Sequence, residues 1–284
     1  MSSEPSVLDP GSIVRERTPG GLVYRRLGTG QALVLLHGGY GSWLHWRRNL
    51  PALARHRLVF APDLPGYGES PDVAADISVD GYVALVATAL QQMVGTGTQT
   101  DLAGFSFGGL IAAGVAARLG AQIRRLCLLA PSGFEKPTGR VLGQRPRRSF
   151  APGEDGLRDF LRHNLLAMML ADSASLDAPA IEIHRANLAR ARFNNKQISW
   201  SNRLAGFLAE VQCPVQLIYG ALDKTPFPSI DARVAIARAA LPSLSFEPVA
   251  DAGHWVQYER SHETTRLIMQ FLGLTEAARA VHLN

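Results

Sequence analysis

Short β-rich runs alternate with stretches of helical periodicity along most of this chain, and that alternation restricts the fold more than any other feature. A chain patterned in this way builds a mostly parallel sheet with helices on both faces. The clearest strand segments are Ala32–Leu36, Leu58–Ala61, Leu102–Phe105, Ile123–Leu129, Val215–Tyr219 and Leu244–Val249. Continuous apolar runs such as RRLCLLA and PVQLIYG fit strands buried on both faces. Ahead of them, Ile13–Arg17 and Leu22–Arg26 read as a hairpin across the turn Pro19-Gly20-Gly21. Helical spacing follows most strands, at Trp43–Ala54, Val79–Val94, Ser106–Leu119, Ile230–Ala240 and Glu263–Leu272, the last with Ser261 as its expected cap. At 284 residues the chain is long enough to bury one large core without disulfide or metal staples.

The alternation fails in one interval. Between the strand that ends near Ala130 and the one that opens at Pro214, no convincing strand occurs. Pro131 to Asp155 is rich in Gly, Pro and Arg and reads as a loop, and Leu157–Leu170, Ile181–Phe193 and Asn202–Val211 have helical spacing. The expectation is an α/β fold with a mostly parallel eight-stranded sheet, its core formed by 1–133 and 212–284, and a helical cap, 134–211, inserted after the sixth strand. In such sheets ligands bind at the carboxyl ends of the strands, where the cap lies.

Composition narrows the function. With 46% apolar and 19% charged residues the chain is not disordered. No apolar run approaches membrane-spanning length, and the opening MSSEPSVLDPGS lacks the marks of a signal peptide. Cys127 and Cys213 lie far apart in apolar segments that read as strands, without metal-ligand spacing, so reduced, buried thiols, a cytoplasmic location and no zinc site are expected. The net charge of +5 comes from dispersed arginines, since Lys136, Lys196 and Lys224 are the only lysines. Nucleic-acid surfaces concentrate their charge, so no nucleic acid is expected as a partner, and the run Arg145 to Ser149 reads as a solvated loop. Exposed cap or sheet-edge surfaces leave room for a homo-oligomer.

The strongest chemical motif is Gly104-Phe105-Ser106-Phe107-Gly108, placed between the strand TDLAGF and the small-residue helix LIAAGVAARL. That strand–turn–helix setting lifts a serine hydroxyl clear of the sheet, and it puts the Phe107 N–H at a helix N-terminus suited to an oxyanion. A serine needs a base oriented by an acid, in the chain order serine, acid, histidine. Asp223, just past Leu217-Ile218-Tyr219-Gly220, is the expected acid, with Asp231 a rival inside the next helix. His254 follows the last strand and is the expected base. His262 and His282 are weaker candidates, and His37, His45 and His56 read as structural. The loop His37-Gly38-Gly39-Tyr40 directly after ALVLL offers Gly39 N–H as the second oxyanion donor, with Tyr40 one position away.

HGG (37–39), DLPGYGES (63–70), GFSFGG (104–109), GALD (220–223) and AGHW (252–255) together resemble the α/β-hydrolase superfamily in order and spacing. The resemblance implies a Ser106–His254–Asp223 triad under a helical lid, acting on a small-molecule substrate without metal or organic cofactor. Trp255, Gln257 and Glu259 after His254 are similar to the GHWxQxE pattern of meta-cleavage-product hydrolases, which cleave a carbon–carbon bond. Those enzymes place an arginine on a cap helix to meet a substrate carboxylate, which implies such a role for Arg185, or less aptly Arg192. Phe105 departs from that family, in which an asparagine usually precedes the serine. An apolar residue there suits an ester with a hydrophobic part, and Tyr40, Trp43, Phe105, Phe107 and Trp255 read as an aromatic pocket. The expected activity is hydrolysis of a small apolar carboxylic ester. The alternatives are C–C hydrolysis of a 2-hydroxy-6-oxo-dienoate and, in another class, a non-catalytic receptor on the same fold.

Overall fold

The computed structural model describes residues 13–274. Eight strands, β1 (Val14–Arg17), β2 (Val23–Leu27), β3 (Ala32–Leu36), β4 (Leu58–Pro62), β5 (Thr100–Phe105), β6 (Ile123–Leu129), β7 (Val215–Gly220) and β8 (Ser245–Val249), form one sheet in the order β1-β2-β4-β3-β5-β6-β7-β8. The β1–β2 and β2–β4 pairs are antiparallel, and every other pair is parallel. Every residue of β3, β5 and β7 is buried, as the continuous apolar runs require of strands covered on both faces. The expected hairpin is present as β1 and β2, with Val14 opposite Arg26. Cys213 lies just ahead of β7 rather than inside a strand, and is only half buried, whereas Cys127 is buried in β6.

The expected helix over Trp43–Ala54 is instead a 3-10 turn, Trp43–Trp46, followed by α1 (Leu50–Ala54). Pro51 lacks the amide hydrogen that a continuous helix needs there, and it suits the first turn of a new one. Helix α2 (Val79–Val94) starts where Ser78 accepts from Gly81 N–H and stops at Gly95. Helix α3 (Phe107–Leu119) is buried around most of its circumference by the sheet and by α2. Small residues allow that approach: a Cβ on Gly108 would lie 2.3 Å from His37 O, and one on Gly104 only 2.3 Å from Gly108 O.

Between β6 and β7 lie α4 (Gly153–Asn164), a π-helical turn (Leu165–Met169), α5 (Ala178–Ala189), α6 (Lys196–Ser199) and α7 (Leu204–Glu210). The boundaries differ from the expected ones for local reasons. Asp177 accepts from Ala180 N–H and Pro179 follows it, so α5 opens three residues before Ile181. After β7 come α8 (Ile230–Ala240), α9 (Val256–Glu259) and α10 (Ser261–Phe271). Ser261 does not cap the last helix; it is the first helical residue, behind Arg260. Among the described residues no helix is long and apolar enough to cross a membrane.

Candidate active site

Ser106 sits between β5 and α3 with φ 53° and ψ −115°, a conformation that L residues rarely adopt. Its backbone is tied on both sides. Its N–H donates to Leu129 O at 2.9 Å, and its carbonyl accepts from Gly109 N–H at 2.9 Å and Ser132 N–H at 3.0 Å. The hydroxyl stands 3.0 Å from His254 Nε2, and His254 Nδ1 lies 2.9 Å from Asp223 Oδ2. The Asp223 carboxylate is fully buried, and its other oxygen accepts from Thr225 N–H at 2.7 Å. A carboxylate facing Nδ1 fixes the tautomer: Nδ1–H donates to Asp223, and Nε2 is left to accept from Ser106 Oγ–H. Asp231 lies in the first turn of α8 and His262 in α10, and neither is hydrogen-bonded to this chain of groups. His282 lies outside the described residues.

The loop after β3 runs against the serine, so closely that a Cβ on Gly38 would meet Ser106 Cβ at 3.3 Å and the Phe105 ring at 2.9 Å. His37 braces the loop: its Nδ1–H donates to Gly38 O at 2.7 Å, and Nε2 accepts from Leu64 N–H at 2.8 Å. Gly38 N–H is committed to His45 Nδ1 at 3.2 Å, which leaves Gly39 N–H as the next donor in the loop. Phe107, as the first residue of α3, has no helical acceptor for its N–H. Tyr40 follows with φ 53° and joins the loop to the segment before α6, its hydroxyl donating to Asn194 Oδ1 at 3.0 Å.

Ser106 and His254 open on a cavity of about 420 Å³. Tyr40 and Phe105 are on its wall, and the Phe105 ring lies 5.0 Å from the His254 ring. Four residues expected there are elsewhere. The Phe107 ring is buried against Tyr82, 5.2 Å between ring centres. Trp43 packs beneath the Arg25 guanidinium, 5.2 Å from its ring centre. Trp255 is buried behind the site, stacked on Tyr258 at 4.1 Å, with its indole N–H donating to His45 O at 3.1 Å. Arg185 points to the outside and pairs with Glu154 at 2.9 Å. Arg192 is also directed away, donating to Gly68 O at 3.1 Å. From α5 the cavity is reached by Leu188 and by His184, the latter one position before Arg185 and so about 100° around the helix.

The sequence reasoning also missed Thr225, whose hydroxyl is 3.0 Å from His254 Nδ1, and the cavity face of His45. Burial drives His184 and His45 toward the neutral form, His184 down to about 4 and His45 well below the usual imidazole range. The spacing Asp-x-Thr (223–225) was the available signal for Thr225. Nothing in the sequence marked His184.

A model of the alpha/beta hydrolase family matches residues 33–267. A 2-hydroxymuconate semialdehyde hydrolase of Pseudomonas sp. is 31% identical over 88% of this chain and 90% of its own. A 2-hydroxy-6-oxo-2,4-heptadienoate hydrolase of Pseudomonas putida is 28% identical over 87% of this chain and 90% of its own. Among solved structures, a thermophilic esterase from Thermogutta terrifontis superposes with a TM-score of 0.68 at 22% identity, over 92% of this chain and 97% of that one. The fold, the order of the motifs along it and the match across most of the chain agree: this chain belongs to the alpha/beta hydrolase family.

Proposed function

We propose that this hydrolase cleaves a small carboxylic ester through an acyl intermediate on Ser106, beneath a lid formed by residues 134–211. The observation that carries the reading is the continuous hydrogen-bonded path Ser106–His254–Asp223 at the edge of a cavity of about 420 Å³. His254 Nε2 takes the Ser106 hydroxyl proton as Oγ attacks the ester carbonyl. Asp223 holds the ring and stabilises the imidazolium that forms. The N–H groups of Gly39 and Phe107 hold the developing oxyanion. Collapse expels the alkoxide, which receives the proton from His254. Water, deprotonated by the same nitrogen, then releases the carboxylic acid and restores Ser106. On this reading the enzyme works in the cytoplasm on a small molecule, and Cys127 and Cys213 remain thiols.

The apolar ring of Phe105 beside His254 favours an ester with a hydrophobic part over a substrate that must be protonated at carbon. A second reading, C–C hydrolysis of a 2-hydroxy-6-oxo-dienoate, is favoured by the two Pseudomonas relatives named above. The outward position of Arg185 removes the carboxylate contact that this reading would assign to it. The two are separated by giving the purified enzyme a p-nitrophenyl ester series and a 2-hydroxy-6-oxo-hexa-2,4-dienoate side by side. Faster turnover of the esters is expected. Faster turnover of the dienoate establishes the second reading, and turnover of neither, with no labelling of Ser106 by a fluorophosphonate, returns the chain to the receptor class.

A further inference from the structure

Among the described residues two arginines are almost wholly buried, and their surroundings differ. Arg57 has its counter-ion, with Nε 3.4 Å from Asp101 Oδ2 and Nη2–H donating to Leu272 O. Arg233, on α8, is 7% exposed and lies within 4.0 Å of no carboxylate among the described residues. Its guanidinium rests over the Phe134 ring at 4.6 Å. One N–H points at Pro131 O at the long distance of 3.5 Å, and the buried Nε has no partner. A buried guanidinium without a counter-ion is unfavourable unless an anion arrives to complete it.

Arg233 is on the wall of the same cavity as Ser106, and Arg140, from the loop after β6, is also on that wall, near enough to be acted on by the Arg233 charge. Arg140 likewise has no ion pair among the described residues, and burial together with the charge of Arg233 presses its guanidinium toward the neutral form. The charge of Asp223 opposes this at Arg140, but its carboxylate forms no ion pair with either arginine, and its oxygens accept from Thr225 and face His254. Glu135 is the only acid lining the cavity among the described residues, and its carboxylate accepts from the Asn202 side chain at 3.4 Å. Lys196, 5.6 Å from the Trp200 ring centre, adds to the positive charge.

We propose that Arg140 and Arg233 form an anion subsite within the reaction cavity that holds a carboxylate carried by the substrate in addition to its scissile ester. The substrates preferred by this site are then hemi-esters of dicarboxylic acids rather than neutral esters. The guanidinium fork matches a carboxylate with two parallel hydrogen bonds, and the low-dielectric wall strengthens them. This goes beyond the expected small apolar ester by adding a charged group to the substrate, and rests on the proposed ester hydrolysis at Ser106.

The test compares kcat/KM for p-nitrophenyl hydrogen glutarate and for p-nitrophenyl pentanoate, its neutral counterpart of similar length. A preference of about tenfold or more for the hemi-ester is expected, weakening as salt is added, and Arg140→Gln and Arg233→Gln should each lower it about tenfold. Equal kcat/KM for the two esters, or a preference that Arg140→Gln leaves intact, overturns the proposal. Arg140 is only half buried, so its variant answers the question even where Arg233→Gln fails to fold. Binding of monomethyl glutarate to the Ser106→Ala protein, measured calorimetrically, separates the subsite from the chemistry. Binding weakened about tenfold by a second change, Arg140→Gln, supports the subsite even where both nitrophenyl esters go unhydrolysed, whereas binding indifferent to Arg140 overturns it.

Discussion

Ser106 is prepared by its backbone as well as by its partners. The positive φ aims the hydroxyl away from the sheet, and the hydrogen bonds from Gly109 and Ser132 to its carbonyl keep the turn from relaxing. Ser106→Ala should therefore leave the circular-dichroism spectrum unchanged while kcat on an ester falls by about 10⁴-fold or more. Asp223→Asn leaves the shape of the acid but turns its proton-accepting oxygen into an amide that favours the wrong histidine tautomer. A loss of about 10³-fold or more in kcat is expected, with KM little changed. The serine, acid and histidine were legible in the sequence because each stands at the carboxyl end of a strand, where one motif fixes its position. Trp43, Trp255 and Arg185 were not legible as to direction. A tryptophan is equally suited to a pocket wall and to the core, and a single helical step separates Arg185, paired with Glu154, from His184 on the cavity.

At the scale of elements, the loop bearing His254 is stitched to the segment between β6 and β7. Glu259 in α9 accepts from Gly253 N–H at 2.6 Å with one oxygen and from Ala171 N–H at 2.8 Å with the other. Beside it, Trp255 N–H donates to Met169 O at 2.8 Å, just where the π-helical turn ends. Burial raises the Glu259 pKa, and the backbone donors pull it partly back. Glu259→Ala leaves two buried N–H groups without their acceptor, and a loss of about 2 kcal/mol in urea-unfolding stability is expected. Glu259→Gln, which keeps one acceptor oxygen, should fall between the native enzyme and the alanine variant. This clamp was invisible in the sequence, where Glu259 read only as part of a family pattern, because its partners are backbone groups 88 and 6 residues away. The helices were legible in type but not in their ends. Caps such as Asp177 and interruptions such as Pro51 outweighed periodicity there.

Across the whole molecule, stability is linked to pH through the buried histidines. His184, at 6.5 in an ordinary setting, is brought down to about 4, and His37 and His45 are lowered too, each chiefly by burial. Between these values the unfolded chain binds protons that the folded chain does not, so stability is full above 6.5 and declines as pH falls toward 4. The melting temperature should thus be lower at about pH 5 than at about pH 7.5, and His184→Gln should narrow the gap. An unchanged gap in that variant would remove His184 from the account. The mostly parallel eight-stranded sheet and the long interval after β6, though not the order of the strands, were readable at this scale, because alternation of strands and helices leaves few topologies open. The charge was not. A net +5 suggested little, because the sequence does not show which arginines lack an ion pair, or that two of those line the cavity.

Activation of Ser106 by His254 and Asp223 can be read by labelling the intact protein with a fluorophosphonate and weighing it. A single adduct, mapped to Ser106, absent in Ser106→Ala and formed far more slowly in His254→Ala, is the expected result. No adduct on folded protein, or one that persists in Ser106→Ala, would contradict it.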